Sequence, residues 1–403
     1  MELAADRLSP AESDSIYRET IAPFFLNPVS PTTGTPRAVF LAGQPGAGKS
    51  DLAAKAMREF RSNGGCVTVN PDDMRVYHPR YLEDAKEDDR SAAAKVHPDM
   101  KIWADRLFDD AARERKNIVV DGTLADKEHA EKRISELRSH GYRTEMRAMA
   151  VNPRTSWLGV VSRYEKEKGS HTIPRFVPER VHDDDCRKMP ETVGALEKQG
   201  AFDRAAVYDR KGNALYDSTS STNRHVSAKE AILAERQREF TPSEKADHRE
   251  RWEGVESQQE NRHAPDHDRK AIAPKVREAK EMVERDPEAK RQYDAWRLPR
   301  SNPASQKQRT DLAAREGADI PSVRASFNRE GDDAHRFGVA ADTNAQSKST
   351  EFSGMDLARP QNDAAAATKS RRFEQPSFAR PISREAAALP PRDKRNQGPE
   401  RSR

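Results

Sequence analysis

Between residues 38 and 217 the chain alternates short apolar runs with longer stretches in which apolar residues recur every three or four positions. The short runs Ala38 to Leu41, Cys66 to Val69, Asn117 to Asp121 and Arg143 to Val151 read as buried strands. The stretches behind them read as helices: Lys49 to about Arg61, Leu82 to Arg115, Asp126 to His140, Pro153 to Glu167 and Val181 to Gln199. In Leu82 to Arg115 the apolar stripe runs through Ile102, Trp103, Leu107 and Ala111, which assigns the aromatic to the core. Arg204 to Asp217 reads as a hairpin that turns at Lys211-Gly212 and closes a sheet edge. Strand and helix in regular alternation predict an α/β fold with a mainly parallel sheet flanked by helices, the second strand lying parallel to the first after a right-handed crossover. Ahead of it, Ala11 to Phe25 carries Ile16, Tyr17 and Ile21 at helical spacing, behind Ser9 or Ser13 as cap.

From about Phe240 the pattern fades. Gln, Glu, Arg, Lys, Asp and Ser dominate and long aliphatics are sparse. A first domain over residues 1–239 and a charged, mostly disordered extension over 240–403 are therefore expected, with one helix near 271–293 that carries Ile272, Val276, Met282 and Val283. On this reading the residues up to about Asp217 fold and act alone, and early proteolysis falls beyond about residue 240.

Composition narrows the class. Only 34% of residues are hydrophobic and the mean hydropathy is −1.01, which fits one real core with a polar remainder. Cys66 and Cys186 lie far apart without C-x-x-C spacing, so neither a disulfide framework nor a cysteine metal site is expected, and a reducing cytosol is the default setting. Met1 to Asp6 lacks a basic patch and an apolar run, and no segment approaches a membrane span in length. Residues 1–239 hold 39 Lys/Arg against 39 Asp/Glu, so the net charge of +4 arises wholly after them. The last forty residues alone hold ten Lys/Arg and four Asp/Glu, and this local basic end gives no reason to expect a nucleic-acid surface on the folded part.

The chemistry enters at Gly43-Gln44-Pro45-Gly46-Ala47-Gly48-Lys49-Ser50, a G-x-x-x-x-G-K-[ST] loop between an apolar strand and a helix-forming run. Its glycines allow the backbone N–H groups to turn toward an anion, and the helix behind adds its positive end. Lys49 is expected at the β/γ-phosphates and Ser50 on Mg²⁺, which makes ATP with Mg²⁺ the expected cofactor pair. Past the second strand, Asn70-Pro71-Asp72-Asp73-Met74-Arg75-Val76-Tyr77-His78-Pro79 places carboxylates where an open α/β sheet binds its ligand. Asp72 is either the base that accepts a hydroxyl proton in phosphoryl transfer or a turn-capping residue. Asp121 and Thr123, at the end of the third strand, face the same crevice. Arg163 and Arg175 are cations of the kind that phosphoryl transfer needs near the γ-phosphate, or else ordinary surface arginines. His171, His182 and Asp183 to Asp185 lack a metal-ligand spacing and are read as structural.

Taken together, the loop Gly43 to Ser50, Asp72-x-x-Arg75-x-x-His78-Pro79, Asp121-Gly122-Thr123-Leu124, Arg163-Tyr164-Glu165, Arg175 and the terminal hairpin occur in an order that resembles the zeta-toxin family of P-loop kinases over roughly residues 10–220. The resemblance implies ATP-dependent phosphorylation of the amino-sugar 3′-hydroxyl of UDP-N-acetylglucosamine, which blocks cell-wall synthesis, and an antitoxin protein as partner. It implies phosphate and Mg²⁺ roles for Lys49 and Ser50, the base role for Asp72, clamp roles for Arg163 and Arg175, and substrate contacts from Arg75, His78, Asp121 and Thr123. The family's third-strand motif usually reads E-G-T-x-R, whereas this chain has Asp121-Gly122-Thr123-Leu124-Ala125, with a shorter acid and no cation. The acceptor therefore stays open between this nucleotide sugar and another small-molecule hydroxyl. A different class also stays open, an exported interaction protein that uses the kinase as a module. Pro390 to Arg403 is similar to the Arg-rich C-terminal export signals of type IV secretion substrates.

Overall fold

The computed structural model describes residues 7–170, 173–221 and 225–297. Six strands form one sheet in the order β2-β3-β1-β4-β5-β6: β1 Arg37–Ala42, β2 Val67–Val69, β3 Ile118–Asp121, β4 Arg143–Met149, β5 Arg204–Tyr208 and β6 Ala214–Asp217. The first five run parallel, with Phe40 paired to Val120 on one side and Met146 on the other, and β6 returns antiparallel to β5. The expected mainly parallel, helix-flanked sheet is thus present. β2 runs parallel to β1 as expected, with β3 between them. Placing β1 inside the sheet, flanked by β3 and β4, explains why Val39, Phe40 and Leu41 read as an unbroken apolar run: both of its faces are covered and each is at most 2% exposed.

The helices follow the periodic stretches: α1 Pro10–Ile16, α2 Lys49–Phe60, α3 Tyr81–Glu87, α4 Ala92–Arg113, α5 Lys127–Ser139, α6 Pro153–Lys168, α7 Glu179–Lys198 and α8 Ala228–Gln237. Ser9 caps α1 in a box with Glu12, and the entry segment then widens into a π-helix over Tyr17–Leu26, where Pro23 interrupts the regular ladder. The stretch from Leu82 to Arg115, expected as one helix, is two. The turn between α3 and α4 is fixed by Asp88 Oδ1, which accepts from Arg90 N at 3.1 Å. Trp103 on α4 is buried in the core as expected.

Residues 242–297 correct the expectation of a mostly disordered extension that begins at 240. They fold as α9 Pro242–Asn261, α10 Asp266–Glu284 and α11 Pro287–Arg297. Their apolar residues are too few to make a core by themselves, but they share one with α6: Trp252, Val255, Ile272, Val276 and Ala279 pack with Leu158, Trp157 and Val161. Some of the charged residues pair within the bundle, as Lys245 does with Asp286 and Arg249 with Glu253. Leu158 is fully buried in this seam, so the segment ending at Asp217 shares part of its core with the helices that follow it. The helix expected near 271–293 is the end of α10 and most of α11. The expectations for 298–403, including the basic tail and export through it, lie outside the described residues, as does His171. Among the described residues no helix is long and apolar enough to cross a membrane.

Candidate active site

β1 ends at Ala42, and the loop Gly43–Gly48 carries the chain into α2 at Lys49. Gly48 is the helix N-cap in a left-handed conformation, φ 89° and ψ 30°, and no side chain caps the first turn, so the free N–H groups and the positive helix end stay available to an anion. Gly46, at φ 75°, sits so close to α6 that an added Cβ would lie 2.0 Å from the Ser156 carbonyl oxygen, and a Cβ at Gly159 would meet the Gly46 carbonyl at 2.7 Å. The loop is therefore seated on α6, and only glycine fits at the contact. Ala47 is buried beneath it, Pro45 is half-buried, and Ser50 is exposed in the first helical turn.

Lys49 folds back over the loop, and its Nζ donates to the Gly43 carbonyl at 2.7 Å and to the Gln44 carbonyl at 3.4 Å. Burial pushes its ammonium below the ordinary lysine range, opposed first by the charge of Asp121. Gln44 is fully buried, and its Nε2 donates to the Val151 carbonyl at 2.8 Å and to Ser156 Oγ at 3.0 Å. Thr123 joins the loop through its backbone, since Gly43 N donates to the Thr123 carbonyl at 3.3 Å. Leu124, next in the chain, holds φ 55°, a left-handed conformation at the point where β3 meets the loop.

Acids and arginines face the loop. Past β2, Asn70 accepts from Asp72 N at 3.0 Å and starts a 3₁₀ helix over Pro71–Tyr77. Asp72 is exposed on it and pairs with Arg75. Its charge acts on Lys49, Asp121 and Arg163. Asp121 is half-buried, and burial raises its carboxyl above the usual range against the pull of Lys49. Arg163 is also half-buried, and its Nε is enclosed without a hydrogen-bond partner. Burial first and the Arg175 charge second press its guanidinium downward. Arg175 is held by Glu167, with Nε donating to Oε1 at 2.8 Å and the backbone N to Oε2 at 2.7 Å.

The structure thus brings together the loop Gly43 to Ser50, Asp72, Arg75, Asp121, Thr123, Arg163 and Arg175. It does not bring His78, expected as a substrate contact. The 3₁₀ helix turns that imidazole inward, where it is 2% exposed, stacks near Trp103 and lies 3.5 Å from Asp99 Oδ2. Two further carboxylates act on the site: Asp73, not singled out from sequence, and Asp185, read there as structural. Asp73 is pushed up to about 6 by burial and then by the charges of Asp121 and Asp72. Asp185 on α7 acts on Lys49. Asp73 had a visible signal in its position one residue past Asp72, whereas Asp185 is brought in only by the packing of α7. His182 is buried 2.8 Å from Ser156 Oγ, in keeping with a structural role, and no cluster fit to hold a metal ion occurs among the described residues.

The family model described as zeta toxin matches residues 26–221. Toxin zeta of Enterococcus hirae is 28% identical over 243 residues, 60% of this chain and 83% of that protein. Toxin PezT of Streptococcus pneumoniae is 27% identical over 199 residues, 49% of this chain and 78% of that protein. A solved chain of the PezAT chromosomal toxin-antitoxin system of Streptococcus pneumoniae superposes with a TM-score of 0.53 at 22% identity, covering 64% of this chain and 98% of that one, which shows a shared fold. The segment similar to the zeta toxin family, residues 26–221, holds the P-loop, the crevice acids and both arginines.

Proposed function

We propose that this chain is an ATP-dependent kinase of the zeta toxin type that phosphorylates the amino-sugar 3′-hydroxyl of UDP-N-acetylglucosamine and thereby blocks cell-wall synthesis, with an antitoxin protein as its partner. The observation that carries the reading is that the charge of Asp72 acts on Lys49 of the Gly43–Ser50 loop, on Asp121 and on Arg163. The loop N–H groups and Lys49 bind the β- and γ-phosphates. Ser50 is exposed in the first turn of α2, where it would hold Mg²⁺, which withdraws charge from the phosphate oxygens. Asp72 takes the proton of the acceptor hydroxyl as its oxygen bonds to the γ-phosphorus and the bridging bond to ADP breaks. Arg163, free of an acidic partner among the described residues, and Arg175, fixed by Glu167, neutralise charge on the transferring group.

A second reading, another small-molecule hydroxyl as acceptor, is favoured by Asp121 and Ala125, where the family motif has Glu and Arg. Incubation of the protein with ATP, Mg²⁺ and a panel of nucleotide sugars, followed by mass spectrometry, separates the two. A product one phosphate heavier than UDP-N-acetylglucosamine is expected. Phosphorylation of a different acceptor alone would establish the second reading, and ATP consumption with no acceptor dependence would sink both.

A further inference from the structure

Arg236, in the last turn of α8, is 7% exposed, and among the described residues no carboxylate pairs with it. Its guanidinium donates to the Cys186 carbonyl at 2.6 Å and to Gln44 Oε1, while its Nε is enclosed without a partner. Its backbone carbonyl accepts from Asn152 Nδ2 at 3.0 Å, so the residue is held at both ends. Two neutral oxygens orient a guanidinium but do not cancel its charge, and an uncompensated buried charge is unfavourable for the protein by itself. Gln44 links this charge to the phosphate loop: one end of its amide meets Arg236, and its other end meets Val151 and Ser156. Its carbonyl lies 3.4 Å from Lys49 Nζ.

We propose that Arg236 is a positioning residue for the nucleoside triphosphate, holding Gln44 and the start of the loop in place with a buried positive charge whose counter-charge is the polyphosphate. The proposal rests on the reading of the Gly43–Ser50 loop as the nucleotide site. α8 lies beyond the residues the family model matches. A charge screened by protein acts over a longer range than one in water, so a triphosphate arriving at the loop relieves the cost that the empty protein bears.

The test compares wild type, Arg236→Met and Arg236→Lys in the full chain, by thermal melting without nucleotide and by calorimetric binding of ATP with Mg²⁺. Arg236→Met should melt no lower than wild type without nucleotide, yet bind ATP roughly tenfold more weakly, the loss expected from one charge-assisted contact that supports the ligand. Arg236→Lys, which keeps the charge, should stay within about threefold of wild type. A merely structural arginine gives the reverse, a lowered melting temperature with ATP affinity intact, and that result overturns the proposal. Failure of Arg236→Met to fold also overturns it, because the guanidinium would then be needed by the empty protein. If wild type itself binds no ATP, the underlying reading of the loop falls, and the proposal with it.

Discussion

Arg262 Nε donates to Glu165 Oε2 at 2.7 Å, and Glu165 stands two residues past Arg163 on α6. The same guanidinium reaches Glu165 Oε1 at 3.0 Å and Asp268 Oδ2 at 2.8 Å, while Gln259 Nε2 donates to Glu165 Oε1 at 2.8 Å. Asp268 in turn pairs with Arg90, whose guanidinium lies 5.0 Å from the ring of Phe176, next in sequence to Arg175. α9 and α10 are thereby tied to both segments that carry the candidate clamps.

Removal of Arg262 should therefore be costly. Glu165 is 2% exposed, and without Arg262 it keeps only Gln259 as partner. Arg262→Ala should lower unfolding stability by about 3–5 kcal/mol, as when one member of a buried pair is deleted. Urea denaturation measures it, and Glu165→Gln combined with Arg262→Met should recover part of the loss.

Truncation gives the same relationship a coarser form. A chain ending at Asp217 loses the cover of Leu158. It should be insoluble or protease-sensitive where the full chain leaves a resistant fragment reaching to about residue 297. Cooperative melting of the short form at the full-length temperature would contradict this.

Chemistry is separable from binding at Asp72. Because the carboxylate is exposed and outside the loop, Asp72→Asn should leave the fold and ATP affinity unchanged while phosphoryl transfer is lost. Arg163→Ala should cost on the order of 10²–10³ in rate, as for other single electrostatic stabilisers. Steady-state kinetics beside ATP binding decide both, and near-normal turnover in either variant removes that residue from its role.

Asp73 makes stability depend on pH. Burial, and then the charges of Asp121 and Asp72, push its carboxyl up to about 6 in the fold. Between about pH 4 and 6 the unfolded chain ionises first, so the stability this group contributes when protonated is lost as pH rises and stays lost above 6. Asp73→Asn, which never ionises, should match wild type near pH 4 and exceed it at pH 8 by on the order of 1–2 kcal/mol. Equal stability at both values would show that the Asp73 carboxylate carries no penalty in the fold.

What the sequence revealed depended on the range of the interactions involved. The phosphate loop is legible because its chemistry is local: glycines at fixed spacing, a strand before and a helix after. Asp72, Asp121 and Thr123 could be placed because strand ends in a parallel sheet share one edge. His78 could not, since its direction depends on how a short 3₁₀ helix meets Asp99 and Trp103 on α4. After residue 240 one helix was legible near 271–293, but α9 and the packing of this segment were not, because Trp252 and Ile272 share a core with Leu158 and a composition window sees only one side of that seam. Arg236 gave no signal at all, being an ordinary charged residue near the end of a polar helix until α8 is docked.

Ser156 and Gly159, which seat the phosphate loop, and Arg163, the candidate clamp, are all on α6. Seven residues separate the first from the last, about two turns and roughly 10 Å along a rigid rod. The gauge between cradle and clamp is thus set by helical pitch, and Arg175, held by Glu167 on the same helix, is tied to that rod as well. A proline or an inserted residue between Ser156 and Arg163 would leave every reactive group present and put the gauge out of true.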